Sequence, residues 1–177
     1  MALQRVKIDG YGQLELNAVA FRRSGRIEAQ CRIADGIDYI ENGMLLAIDN
    51  VNRVVKYVED GNIYPVALNY STEHMYDERA NALKNFRLNN GEFLPRMGYQ
   101  GAGDKYTTNC LAYDDAEFAS EVELKEAIAN VKKAPLYAKA CANGAHCITK
   151  SAEGALCLVL SETTMPDGQY AVKFQAL

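Results

Sequence analysis

Residues 97–108, MGYQGAGDKYTT, set two glycines, a lysine and a threonine almost where a phosphate-binding loop has them. Such a loop cradles phosphates with backbone N–H groups. Its lysine follows the last glycine directly, and a Ser or Thr behind it holds Mg²⁺. Here Asp104 occupies the lysine position, and a carboxylate there repels the phosphates that the N–H groups attract. The context differs as well, because a phosphate loop opens a helix, whereas KYTTNCLAY (105–113) has the composition of a strand. The stretch reads as a glycine-rich turn between two strands.

Cys141, His146, Cys147 and Cys157 are the right residue types for zinc and fall within seventeen residues. Structural zinc sites present Cys-x(2–4)-Cys pairs, whereas Cys141 and Cys147 are separated by five residues. His146 and Cys147 are adjacent, and neighbours on a strand point to opposite faces. These four remain the metal candidates, and no metal or other cofactor is expected. Nucleophilic catalysis needs a base near Ser, Cys or Thr, and His74 and His146 are the histidines available. Gly-x-Ser-x-Gly is absent, and the carboxylate pairs Asp77-Glu78 and Asp114-Asp115 read as helix capping and solvation. No catalytic residue is assigned, and a non-enzymatic protein is expected.

The elements that must position these residues are mostly strands. RIEAQCRIA (26–34) alternates, with Ile27, Ala29, Cys31 and Ile33 on one face and Arg26, Glu28, Gln30 and Arg32 on the other. That period of two marks a strand with one buried face. QLELNAVAFRR (13–23) precedes it across Ser24-Gly25, a hairpin signal. GMLLAID (43–49), RVVKYV (53–58) and IYPVALNY (63–70) are short β-rich runs. Asp60-Gly61 signals a hairpin between the last two, and Pro65 suggests an edge position. A short helix is expected around 77–86 and a firmer one over 121–133. In the latter, Ser120 and Glu123 have capping-box spacing, Leu124, Ala127, Ile128 and Val131 form one stripe, and Pro135 follows. The tail returns to strands at 136–142, 146–150, 155–161 and 169–176, divided by turns at NG (143–144), EG (153–154) and PDG (166–168).

This pattern predicts a mainly β chain (β-rich α+β) with one or two short helices, its antiparallel hairpins forming a small barrel or sandwich. A single unit over 1–177 is expected. The alternative division is an N-terminal β region (1–113), a helical connector (114–135) and a C-terminal β region (136–177).

Composition narrows the function classes. Hydrophobic residues make up 49% and charged residues 24%, so extended disorder is not expected. The longest apolar runs are too short to cross a bilayer, and the first residues lack the apolar centre of a secretion signal. Synthesis in a cytoplasm and reduced thiols at Cys31, Cys110, Cys141, Cys147 and Cys157 are the expectation. The net charge of −4 argues against general nucleic-acid binding. Residues 1–33 nevertheless carry Arg5, Lys7, Arg22, Arg23, Arg26 and Arg32 against Asp9, Glu15 and Glu28. Arg22, Arg23, Arg26 and Arg32 are therefore candidates for an interface with an acidic surface. Eleven tyrosines suit either partner-contacting surfaces or ordinary strand packing.

The stretch 43–109 resembles virion structural proteins of tailed phages. The resemblance rests on Gly43–Leu46 (GMLL), Tyr70–Asp77 (YSTEHMYD), Phe86–Glu92 (FRLNNGE) and Gly103–Asn109 (GDKYTTN). It covers somewhat over a third of the chain and contains no catalytic residue. It implies a head-associated or capsid-decoration component, made in the host cytoplasm, residing in the virion and forming a homo-oligomer. Its partners would be the major capsid protein or other virion proteins, with no specific nucleic acid and no membrane. A tail or adaptor component and a carbohydrate-binding β module are the alternatives. A Cys/His metal-binding or enzymatic domain is a further one.

Overall fold

The computed structural model describes residues 2–71 and 82–177. The expected helix over 77–86 lies largely outside them, as do His74 and the Asp77-Glu78 pair; its described end is a 3-10 turn at Leu83–Asn85. Among the described residues the chain is mainly β with two α-helices, and its strands form open sheets rather than a closed barrel.

The larger sheet has eight strands. In spatial order they are β1 (Leu3–Arg5), β12 (Leu111–Asp114), β14 (His146–Thr149), β13 (Tyr137–Ala140), β15 (Cys157–Thr164), β16 (Tyr170–Ala176), β11 (Lys105–Thr108) and β2 (Leu14–Ala18). All neighbours are antiparallel except β12 and β14. Strands from the first eighteen residues thus share a sheet with strands from the tail, and form both of its edges. The second sheet has six strands. Their order is β3 (Ile27–Glu28), β10 (Met97–Gly98), β8 (Val66–Asn69), β6 (Leu45–Asp49), β7 (Val54–Lys56) and β4 (Arg32–Ile33). A small ribbon pairs β5 (Tyr39–Ile40) with β9 (Leu88–Asn89).

β6 explains the arrangement. Every residue of LLAID is buried, so both of its faces are covered, as a continuous apolar run requires. Leu45 joins one core with Leu68, Tyr106, Val172 and Phe174; Leu46 and Ile48 join a second with Met44, Val55 and Ala112. Each core draws on both large sheets, which places β6 and β12 between them.

Two local readings give way to non-local pairing. The alternation over 13–34 does not make a hairpin. Residues 21–24 (Phe21–Ser24) form a helical turn, α1, closed by Gly25 at φ 71°. β2 pairs with β11 in one sheet while β3 pairs with β10 in the other. The cause is Phe21, which is fully buried against Tyr70 at 5.2 Å between ring centres and against Gly98, where a Cβ would meet the Phe21 ring at 2.5 Å. The Asp60-Gly61 turn does not join a hairpin either. β7 and β8 pair with β6 on opposite sides, so the 57–65 connection crosses over β6. Pro65 sits just before β8, an interior strand, and there its missing N–H costs no ladder bond.

The helix α2 (Glu121–Ala129) is shorter than the apolar stripe suggests, ending before Val131. Ser120 Oγ accepts the Glu123 N–H at 3.3 Å, and Glu123 Oε2 accepts the Ala119 N–H at 2.9 Å, one residue earlier than a capping box places it. Leu124 and Ile128 enter the first core.

Candidate functional site

The site is built where β2 runs along the edge of the larger sheet. Leu14 and Leu16 point inward to the first core. Pairing with β11 steps from Tyr106–Leu16 to Lys105–Ala18, leaving Asn17 as a bulge residue. The chain then turns through α1, which buries Phe21 and so throws Arg22 and Arg23 outward into solvent. Between them lies a groove of about 1030 Å³, bounded by residues 16–20, Arg22, Arg23, Ser24 and Asp104.

Asp104, the residue that spoils the phosphate loop, braces this groove. Its Oδ1 accepts the Ala20 N–H at 2.7 Å and its Oδ2 accepts the Gly101 N–H at 2.9 Å. With both oxygens engaged by backbone donors, the carboxylate acts as a turn brace, and Asp104 itself is only 5% exposed. Arg22 and Arg23 then set the sign of the groove, which suits an acidic partner. The glycine stretch is indeed a turn between strands, and the two strands belong to different sheets, β10 to the smaller and β11 to the larger.

Of the four arginines expected to form an interface, Arg22 and Arg23 meet at the groove, and the Arg26 guanidinium packs beside Gly101, outside the groove's lining. Arg32 does not join them. It lies on β4, at one edge of the other sheet, and donates to Asp35 at 2.7 Å.

Of the motifs of the phage resemblance, Gly43, Ser71 and the Thr108–Asn109 end of the last one come together in a buried polar seam where the sheets meet, whereas Phe86–Glu92 lies apart at the small ribbon. Gly43, at φ 79°, lies so close to Thr108 that a Cβ would come within 2.1 Å of its Oγ1. Thr108 Oγ1 donates to Gln13 O at 2.6 Å, and Asn109 Oδ1 accepts the Gln13 N–H at 2.7 Å. Asn69 Nδ2 donates to Glu41 O at 2.8 Å, and Ser71 Oγ donates to Asn69 Oδ1 at 2.5 Å. Beside it Arg5 grips Glu41 through both guanidinium nitrogens. These residues hold the sheets together. Of the Tyr70–Asp77 motif, residues 72–77 lie outside the described residues.

No protein-family model matches the chain, and no curated protein or solved structure matches it.

The four metal candidates separate into two groups on opposite faces of the sheet, as the adjacency of His146 and Cys147 implies. Among the described residues no three His, Cys, Asp or Glu side chains converge on a common point. His146 and Cys157 meet Tyr106 in the first core, all fully buried. Tyr106 Oη lies 2.7 Å from His146 Nε2 and 3.0 Å from Cys157 Sγ, which in turn donates to Gln100 Oε1 at 3.7 Å. Burial pushes His146 down to about 3, so the ring is neutral. Its Nδ1 has no hydrogen-bond partner. Tyr106 and Cys157 thus link His146 to Gln100 in one chain of hydrogen bonds. Burial also raises Cys157 to about 11. With a neutral thiol, a weakly basic imidazole and no exposure, this triad works as a buried polar link within the core. Its Tyr106 was missed at the sequence level because its partners lie forty and more residues away.

Cys141 and Cys147 form the other group, at the β13–β14 hairpin. Lys139 stands opposite Cys147 and Ala140 opposite His146. The alternation of LYAKACA, closed by the NG turn, does carry the signal that Lys139, Cys141 and Cys147 share a face. The tyrosines form no flat stacking platform at Tyr11 and Tyr39, whose rings cross at 68° with Arg87 lying over both.

Proposed function

We propose that this chain is a non-enzymatic virion structural protein of a tailed phage, head-associated, and that it docks on an acidic surface of the capsid lattice through the groove at the β2 edge. The observation that carries the reading is the pairing of an open strand edge with two outward arginines. Among the described residues β2 is bonded on one side only, so its other side offers backbone donors and acceptors to an extended segment. Arg22 and Arg23 supply the charge that orients an acidic one. On a repeated lattice each copy needs only modest affinity, because multiplicity supplies the rest. The resemblance of 43–109 to tailed-phage virion proteins supports the same reading, since Asp104, Thr108 and Asn109 of its last motif bond to Ala20 and Gln13 at the two ends of this edge. A tail or adaptor position would use the same surface on a different lattice.

The test is the protein content of particles purified by density gradient from cells that carry the gene. The reading expects the chain in stoichiometric amounts and labelled by antibody on the heads. Absence from purified particles overturns it; labelling of tails alone moves the site of docking.

A further inference from the structure

The cysteine pair beyond the groove is a site of another kind. β13 and β14 join through a tight turn in which Gly144, at φ 77°, returns its N–H to Cys141 O at 2.8 Å. The register puts Lys139, Cys141 and Cys147 on one face of the hairpin, and the thiols of Cys141 and Cys147 hydrogen-bond to each other. A cavity of about 440 Å³ opens onto both sulfurs. Its remaining walls include Lys139, Asp114, and Glu59 and Asp60 of the loop after β7. Cys141 is half-buried, whereas Cys31, Cys110 and Cys157 are sealed in the cores at 2%, 0% and 0% exposure.

The charges divide the two roles. The Cys141 thiol donates toward Cys147 and holds that sulfur below the usual thiol range; burial works against it, Lys139 helps, and Glu117 and Asp114 oppose. Cys141 is raised correspondingly, and Asn143 Oδ1 and Ala145 O, each 3.0 Å from its Sγ, are alternative acceptors for its single proton. Burial pushes Cys110 up to about 12 and Cys157 up to about 11, and raises Cys31 as well. A reactive thiol is one that is ionised and reachable. Cys147, on the cavity wall at 7% exposure with a donor thiol against it, is the one of the five whose surroundings shift it toward the ionised form.

We propose that Cys147 and Cys141 are a hydroperoxide-reactive pair, with Cys147 the attacking thiolate and Cys141 the resolving thiol. In the first step Cys147 Sγ attacks one oxygen of hydrogen peroxide. An S–O bond forms, the O–O bond breaks and hydroxide leaves, giving a sulfenic acid. In the second, Cys141 Sγ attacks the Cys147 sulfur. The S–S bond forms, the S–O bond breaks, and the departing hydroxyl takes the Cys141 proton and leaves as water. Two electrons pass from the two sulfurs to the peroxide, and the disulfide is reversed by a dithiol reductant. This inference is independent of the docking groove.

The experiment is peroxide treatment of the native full-length protein, followed by alkylation, unfolding with a second alkylating agent, tryptic digestion and mass spectrometry. Cleavage after Lys139 and Lys150 leaves both cysteines in one peptide, residues 140–150. The expected result is a loss of about 2 Da from that peptide with no uptake of either label, restored by reduction. Cys31, Cys110 and Cys157 are expected to take the second label throughout. Oxidation at any of those three first, or two free thiols in the 140–150 peptide, overturns the proposal. The roles are separated by Cys141→Ser, expected to accumulate a sulfenic acid at Cys147 that a 1,3-diketone traps. Cys147→Ser is expected to leave Cys141 unmodified at the same dose. The reversed pattern overturns the assignment, and the unsubstituted protein tests the pair even where a variant folds poorly.

Discussion

The carboxylate of Asp104 reaches the backbone N–H of Ala20 at 2.7 Å across more than eighty residues of sequence. With its second oxygen on Gly101, it ties the end of β2 to the glycine turn that enters β11. Asp104→Ala leaves two backbone donors without their acceptor, and a buried unpaired group costs about 1–3 kcal/mol. The expected outcome is a fall in the urea midpoint of that order. Asp104→Asn should fall short of the native midpoint too, because its Nδ2 presents a donor to a donor.

Gly43 and Gly61 share a left-handed backbone but differ in surroundings. At Gly61, φ 74°, nothing lies within 4 Å of the added Cβ; at Gly43, φ 79°, Thr108 Oγ1 lies at 2.1 Å. Gly61→Ala is expected to cost only the backbone strain, about 1–2 kcal/mol. Gly43→Ala adds displacement of β11 from β6 and should cost at least about twice as much, by thermal or urea unfolding. Equal costs would mean that the two sheets yield at their junction.

His146 makes stability depend on pH. Its folded pKa, about 3, lies below the ordinary value of 6.5, so between those limits the unfolded chain binds the proton and the folded chain does not. Stability is fully present above about 6.5 and is lost as pH falls, by up to about 1.4 kcal/mol per unit. Urea midpoints are expected to drop from pH 7 to pH 5. His146→Gln, whose amide can pair with Tyr106 in either direction, should flatten that slope while lowering stability at pH 7.

Arg22 and Arg23 are exposed, so replacing both by glutamate should leave unfolding within about 0.5 kcal/mol of the native protein. Particle occupancy, measured by gradient sedimentation, is expected to fall about tenfold or more, and native binding to weaken with added salt. Arg32→Glu, on a different edge, should leave occupancy unchanged. Full occupancy of the double variant would remove the groove from the docking surface.

Legibility in the sequence followed the range of the interactions. The tail turns at Gly144, Gly154 and Gly168 and the start of α2 are set by neighbours within a few residues, and they stand where alternation, NG, EG, PDG and Ser120 place them. The 13–34 region was misread because alternation reports which face is buried and not which strand pairs. β2 and β3 have partners far along the chain in different sheets, and Phe21 breaks the period to fill a core. The Asp60-Gly61 turn is real, yet its strands flank a third one, which no local signal reveals. The groove was half legible: the excess of arginine was visible, but the departure of Arg32 and the bracing by Asp104 depend on the sheet order.

Both edges of the eight-stranded sheet come from the first eighteen residues, and each pairs with a strand between residues 105 and 114. As the chain leaves the ribosome, β1 and β2 have no partner until well over half of it has been made. Closing those long loops carries an entropic cost ahead of any reward, which makes acquisition of the native sheet slow. Two unpaired strand segments stay available to other nascent chains in that interval. Efficient production of this protein therefore depends on how fast translation proceeds from β2 to β12, and a pause in that span should raise aggregation more than a pause in the tail.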